Sequence, residues 1–270
     1  MLDTDAKLSV GHFMEELARS RQAALLLDYD GTLAPFQAER DRAFPYPAVT
    51  ALLQAIMNTG RTRVVLVTGR RADEVVPLLG LFPHPEIWGV QGLQRLRPDG
   101  RHDMPEMEEP VLQALDEADQ WLNRLQLGHL AEFKPGSLAV HWRGVQNSEA
   151  ASIRSRVMLG WLPIAVRARM ILQEFDGGVE MRMFGPNKGD AVRTILTEMD
   201  PATPMAYLGD DQTDEDAFRA LQRRGLRVLV RPEWRETAAD IWLRPPERLI
   251  EFLSQWLNAG QNHGDGGGLR

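Results

Sequence analysis

Four polar clusters stand at the ends of apolar runs in this sequence, and their residue types belong to one kind of chemistry. The first, Asp28-Tyr29-Asp30-Gly31-Thr32, closes the apolar run 23–27 with two carboxylates two residues apart. Like charges that close together call for a counter-charge, and a divalent cation is the usual one. Asp and Gly also suit a plain turn, so this cluster alone leaves both readings open. The second, Thr68-Gly69-Arg70, sets a hydroxyl and exposed backbone amides directly after another apolar run, which suits phosphate oxygens or, again, a simple turn. The third is Lys188, which follows Gly185-Pro186-Asn187 at a helix start. A cation there opposes the helix dipole, so it needs another reason to be present, and an anionic ligand supplies one.

The fourth cluster, Gly209-Asp210-Asp211-Gln212-Thr213-Asp214-Glu215-Asp216, concentrates acids after an apolar run. Glu215 and Asp216 favour the N-terminus of the following helix, with Thr213 or Asp214 as its cap. Asp210 and Asp211 lie before that cap. With Asp28 and Asp30 they make an oxygen-rich set for a hard ion such as Mg2+ rather than zinc. A carboxylate, a hydroxyl, a lysine and a metal site at one sheet edge meet the needs of phosphoryl transfer. One acid can attack phosphorus, the second can protonate the leaving oxygen and later activate water, and lysine and metal offset the phosphoryl charge.

Bringing these clusters together requires parallel strands whose carboxyl ends meet at one edge. Apolar runs at 23–27, 63–67, 87–90, 204–208 and 227–230 read as strands buried on both faces. Helical spacing covers 7–20, 48–57, 72–81, 188–199, 214–224 and 249–257. This alternation predicts an α/β fold, a parallel sheet with right-handed crossovers and helices on both faces. After a longer amphipathic helix within 106–127, the pattern changes to short strands at 131–134, 137–143, 170–175 and 179–183, with a helix near 148–159. Asp176-Gly177-Gly178 is a hairpin signal between the last two strands. The expected organisation is a discontinuous core, residues 1–105 and 185–258, an inserted α+β module, 106–184, and a disordered Gly-rich tail, 259–270.

In the insert, Glu132 and Lys134, His141 and Arg143, and Glu180 and Arg182 are spaced by two on predicted strands. Each pair therefore shares a face, opposite Phe133, Trp142 and Met181. That face is either an ordinary solvated sheet surface or a set of hydrogen-bonding groups suited to a sugar.

Of 270 residues, 43% are hydrophobic, enough for a packed core, and the formal net charge of -7 argues against a nucleic-acid partner. Arginines cluster at Arg95, Arg97 and Arg101 and at Arg154, Arg156, Arg167 and Arg169, and these read as solvated faces. The absence of cysteine excludes disulfides, thiolate catalysis and cysteine-ligated metals. Residues 1–20 carry charges among their apolar positions, which gives neither a signal-peptide core nor a spanning helix. The expectation is a cytoplasmic monomer with a small-molecule substrate and no membrane or nucleic-acid partner.

Together the four clusters, with Glu132-Phe133-Lys134, His141-Trp142-Arg143, Glu180-Met181-Arg182 and Asn187-Lys188-Gly189, resemble the haloacid dehalogenase superfamily of phosphatases. More closely, the chain from about 23 to 257 is similar to its trehalose-6-phosphate phosphatase family. The resemblance implies a Rossmann-like core with an inserted α/β cap that closes over the sugar, and Mg2+-dependent release of phosphate through an aspartyl-phosphate. It implies Asp28 as nucleophile, Asp30 as general acid/base, and Thr68 and Lys188 as phosphate ligands, with Gly69 and Arg70 beside them. It further implies Mg2+ on Asp28, on Asp30 through its carbonyl and on Asp210, supported by Asp211 and Asp214. In the cap, Glu132, Lys134 and Glu180 match positions that hold the disaccharide, with His141, Arg143 and Arg182 on the same polar strands.

One departure stands out. The family pattern Gly-x-His-Gly-x-Glu is here Gly89-Val90-Gln91-Gly92-Leu93-Gln94, with glutamine in both polar places. Glutamine still donates and accepts, so both residues are expected to be able to meet sugar hydroxyls. The change leaves another sugar or glycosyl-glycerate phosphate open as substrate, and a non-catalytic sugar-phosphate sensor is the alternative outside enzymes. Intact Asp28, Asp30, Lys188 and Asp210 weigh against the sensor.

Overall fold

The computed structural model describes residues 4–37, 39–175 and 177–261. In chain order the first elements are α1 (Thr4–Arg19), β1 (Ala23–Leu27), α2 (Val49–Asn58), β2 (Thr62–Val67), α3 (Ala72–Leu79), β3 (Glu86–Gly89), β4 (Gln94–Leu96) and β5 (His102–Asp103). Then come α4 (Glu109–Arg124), β6 (Ala131–Lys134), β7 (Ser137–His141), α5 (Asn147–Ala168), β8 (Ile171–Phe175) and β9 (Gly178–Arg182). The chain finishes with α6 (Lys188–Glu198), β10 (Met205–Gly209), α7 (Asp214–Leu221), β11 (Leu226–Val230), β12 (Ile241–Leu243) and α8 (Glu247–Gln261). Two compact units result, one from 1–104 with 186–270 and one from Pro105–Gly185.

The first unit is an α/β layer structure. Its sheet has the order β12-β11-β10-β1-β2-β3-β4-β5, parallel from β12 to β3 and antiparallel through β4 and β5. Because successive side chains on a strand alternate, the all-apolar run of β1 serves both faces. Leu25 and Leu27 pack with residues of α1, α2, α3 and α8, among them Leu17, Leu53, Val75 and Trp256. Ala24 and Leu26 face the other side, with Val192 and Ile195 of α6 and Phe218 and Leu221 of α7. Leu27 lies in register with Leu66 on β2 and Leu208 on β10, so the carboxyl ends of the three central strands finish side by side. Among the described residues no helix is long and apolar enough to cross a membrane.

The second unit is a four-stranded antiparallel sheet, β6-β7-β9-β8, with α4 and α5 against one face. Leu138, Val140, Val179 and Met181 pack there on Leu115, Leu122, Val157 and Trp161. The expected helix near 148–159 is longer, reaching Ala168 through Gly160 and Pro163. Gly160 does not break it: a methyl at that position would run into the Trp121 indole, so this glycine lets α4 and α5 approach closely.

Other differences are short or terminal. β4, β5 and β12 have too few residues to show a period, and none is marked in the pattern. β7 stops at His141, which leaves Trp142 and Arg143 in the following turn rather than on the strand. α8 continues to Gln261, into the stretch expected to be tail, and buries Ala259. The rest of that stretch and Asp176 of the expected hairpin lie outside the described residues. Of the clustered arginines, Arg101, Arg154, Arg156, Arg167 and Arg169 are exposed as expected, and Arg95 is the exception. Arg95 is buried and forks onto Glu198 at 2.8 Å while its Nε donates to Glu86 at 2.8 Å. Arg154 pairs with Glu174 and Arg167 with Glu117.

Candidate active site

Asp28 directly follows β1, and its backbone N–H still donates across to the Leu208 carbonyl at 2.9 Å. The strand's parallel pairing therefore carries Asp28 to the edge and holds it there, with the residue only 4% exposed. One carboxylate oxygen accepts from Lys188 Nζ at 2.7 Å and the other from the Thr32 hydroxyl at 3.3 Å. Lys188 arrives from the opposite helix layer, on the first residue of α6. Asn187 caps that helix, its side chain accepting from the Asp190 N–H while Asp190 returns the bond to the Asn187 N–H, so the helix start is well defined. The lysine that opposed the helix dipole is buried between carboxylates: its second contact is Asp214, also 2.7 Å.

Asp214 organises the loop after β10. It is fully buried, and its four acceptor positions are taken by Lys188 Nζ and the Tyr207 hydroxyl on one oxygen and the Asp210 and Asp211 N–H groups on the other. That loop brings Asp210 against the Asp28–Asp30 segment. Gly31, at φ +84°, permits it, because the Asp210 carboxylate fills the space a side chain at 31 would need. Asp28, Asp210 and Asp214 thus offer oxygens within 4.8 Å of one another.

Three carboxylates share one ammonium here, and the electrostatics follow. Burial, with lesser repulsion from Asp214 and Asp30, pushes the Asp28 carboxyl up to about 7 even though Lys188 acts against it. Burial and then the charges of Asp28, Asp214 and Asp211 hold Asp210 well above the usual carboxylate range. Burial would lower Lys188, but Asp214 and Asp28 outweigh it and hold the ammonium charged. An all-oxygen donor set with surplus negative charge fits a divalent cation. Asp28 and Asp210 are the groups with room to hold it, since the oxygens of Asp214 are already saturated.

Thr68 follows β2 and is fully buried. Its Oγ1 accepts from the Arg70 N–H at 3.1 Å, which leaves the hydroxyl proton to donate elsewhere. Arg70, expected among the substrate contacts, is only 3% exposed and is committed within the protein. Its guanidinium grips both oxygens of Asp30, at 2.7 and 2.6 Å, and donates to the Arg40 carbonyl at 2.7 Å. Gly69 sits in the loop between them. The two glutamines expected to be able to face a sugar behave differently. Gln94 is 4% exposed and its Oε1 accepts from the Ala72 N–H at 2.8 Å, so it caps α3 instead. Gln91 has a left-handed backbone at φ 58° and donates its N–H to the Thr68 carbonyl at 2.9 Å.

Within the second unit, the polar strand residues form a cluster of their own on the sheet face away from the helices. Glu132 accepts from His141 at 2.6 Å, Lys134 stands 3.5 Å from Glu132 and 3.7 Å from Glu180, and the Ser137 hydroxyl donates to Glu180 at 2.7 Å. Arg182 shares this face and reaches Gln173 at 3.5 Å. Arg143 lies in the turn after β7.

Several supporting residues carry no local signal in the sequence. Tyr207 reads simply as a buried strand residue, yet its hydroxyl holds Asp214. Arg235 stands in no motif, yet it donates to the carbonyls of Asp210 and Asp211 at 3.2 and 2.7 Å and pairs with Glu215 at 2.5 Å. Glu215, expected only to favour the helix dipole, also accepts from Thr237 and the Ala238 N–H, which ties the acidic loop to the segment after β11.

The family model described as trehalose-phosphatase matches residues 26–240 of the chain. Trehalose-phosphate phosphatase of Mycobacterium ulcerans is 32% identical over 252 residues, covering 86% of this chain and 60% of that protein. The corresponding Mycobacterium tuberculosis protein is 30% identical over 253 residues, covering 87% and 61%. The chain therefore spans about three fifths of the length of these curated relatives. Among solved structures, the C-terminal domain of Candida albicans trehalose-6-phosphate phosphatase superposes with a TM-score of 0.77 at 18% identity, covering 92% of this chain and 96% of that one.

Proposed function

Because this chain belongs to the trehalose-phosphatase family, we propose that it hydrolyses trehalose 6-phosphate to trehalose and phosphate, with Asp28 as the nucleophile. The observation that carries this reading is the buried Asp28 carboxylate, held at a strand end by Lys188 at 2.7 Å beside a second buried carboxylate, Asp210. A sensor of sugar phosphates has no use for a desolvated attacking group of this kind.

In the first step an Asp28 oxygen forms a bond to phosphorus as the bond from phosphorus to the sugar oxygen breaks, and the Asp30 carboxyl gives that oxygen its proton. In the second, Asp30 takes a proton from water, which attacks the aspartyl-phosphate and returns Asp28. Lys188 and the Thr68 hydroxyl donate to the phosphoryl oxygens, where negative charge accumulates. Arg70 sets the direction of the Asp30 carboxylate rather than binding substrate. Mg2+, held by Asp28, Asp210 and the Asp30 carbonyl with Asp211 and Asp214 in support, would offset further phosphoryl charge. Glu132, Lys134, Glu180 and His141 supply donors and acceptors for sugar hydroxyls.

The test is inorganic phosphate release by purified protein with Mg2+ from trehalose 6-phosphate, sucrose 6-phosphate and glucose 6-phosphate, with Asp28→Asn as the blank. Preference for trehalose 6-phosphate and a silent variant are expected. Absence of release from trehalose 6-phosphate by folded protein, or activity retained in the variant, overturns the reading.

A further inference from the structure

Directly after β3 the backbone does something costly. Val90 and Gln91 have φ of 50° and 58°, and Gly92 follows at 101°. A β-branched residue in the left-handed region is a genuine outlier, and such strain persists only where the surroundings over-determine it. Here the twist aims two successive amides at a neighbouring loop: Val90 N–H donates to the Arg70 carbonyl at 2.8 Å and Gln91 N–H to the Thr68 carbonyl at 2.9 Å. Two residues past Gly92, Gln94 reaches the far end of the same loop and accepts from the Ala72 N–H at 2.8 Å. Ala72 opens α3, whose own cap residue, Arg71, offers no side-chain bond, so Gln94 satisfies an amide the helix leaves open.

We propose that residues 90–94 form a clamp that positions the 68–72 loop for the reaction, with Gln94 as a positioning residue. The clamp holds three points, the Thr68 and Arg70 carbonyls and the Ala72 amide. Between them lie the Thr68 hydroxyl, which accepts from Arg70 N–H, and the Arg70 guanidinium, which grips Asp30. A shift of the loop therefore moves a phosphate donor and the acid/base carboxylate together. Gln94 touches neither and is buried, so it acts only through the loop. The part of this inference that concerns turnover rests on the phosphatase reading; the part that concerns the loop does not.

Amide hydrogen exchange on the wild-type chain, together with steady-state phosphate release by wild type, Gln94→Met and Gln94→Glu, tests it. Met keeps the length and removes the acceptor, whereas Glu keeps the acceptor. The wild-type Ala72 amide should exchange as slowly as helix-interior amides. In Gln94→Met, exchange across 68–72 should quicken and kcat should fall about ten- to a hundredfold with KM within about twofold, because a small misplacement of catalytic groups acts mainly on the chemical step. Gln94→Glu should restore both. Rapid exchange of wild-type Ala72, unchanged kcat in a folded Gln94→Met, or an equal loss in Gln94→Glu each overturns the clamp. Should Gln94→Met fail to fold, the wild-type Ala72 amide decides. Should the wild type release no phosphate, the phosphatase reading falls, and the exchange data alone support or overturn the clamp.

Discussion

Replacing Lys188 by methionine removes the ammonium from between Asp28 and Asp214 while keeping most of the buried stem. Two 2.7 Å charge-assisted contacts at 3% lysine exposure are lost. Asp28, Asp210 and Asp214, with oxygens within 4.8 Å, are then left without that counter-charge. Removing one partner of a buried pair destabilises by about 3–5 kcal/mol, a large part of the roughly 5–15 kcal/mol that holds a domain folded. The loss depends on pH, and its sign follows from Asp28. That carboxyl is raised by burial from 3.8 to about 7. An acid with a raised folded-state pKa binds its proton more tightly folded than unfolded, so its contribution is greatest at low pH and is lost as pH rises from about 4 to about 7. Without Lys188 the folded value climbs further, and the decline extends above pH 7. The difference between wild type and Lys188→Met is therefore smaller near pH 5.5, where Asp28 is protonated, than near pH 8.5. Urea unfolding midpoints in a chelating buffer at both pH values measure it, with the slope m held equal between proteins. An equal destabilisation at both pH values, or none near pH 8.5, refutes the electrostatic account of this site.

Asp28→Asn should lower kcat by about a thousandfold or more. In chelating buffer near pH 8 the same variant should unfold at the same or higher urea concentration than wild type, because it removes a desolvated charge. Arg235→Met frees the carbonyls of Asp210 and Asp211, so the Mg2+ concentration for half-maximal rate should rise about tenfold, read from a Mg2+ titration of phosphate release. Gly160→Ala drives a methyl into the Trp121 indole, an overpacking expected to destabilise by about 1–3 kcal/mol, visible as a lowered melting temperature without a change in KM for Mg2+.

The alternation of strands and helices, the inserted antiparallel module and the acids at strand ends were legible because each is written in adjacent residues. Ala23 to Leu27, an apolar run closed by acids and a glycine turn, reads as a strand buried on both faces and forms one, and the two acids that follow fall at its end. Asn187 before Lys188 announces a helix start for the same reason. The short strands β4, β5 and β12 were not legible, since pairing with a neighbour defines them and two or three residues carry no period. Nor was the run of α5 through Pro163, where packing on α4 overrides a local breaker.

Side-chain partnership lies beyond local pattern altogether. Asp28 and Lys188 are 160 residues apart, Asp30 and Arg70 are 40 apart, and Arg95 and Glu198 are 103 apart. Pairing of β2 with β1 sets the Asp30 and Arg70 segments side by side, and packing of α6 on the sheet brings Lys188 and Glu198 to their partners. The same holds for Arg70, Gln94 and Asp214: each type is ordinary on a surface, and each proved buried with its donors or acceptors committed inside the fold. The sequence by itself determined the longer elements and which chemical groups stand at their ends, because propensity and periodicity act over a few residues. Only the tertiary structure decided which of those groups meet, because a buried charge or amide is defined by the partner that satisfies it, and that partner comes from another part of the chain.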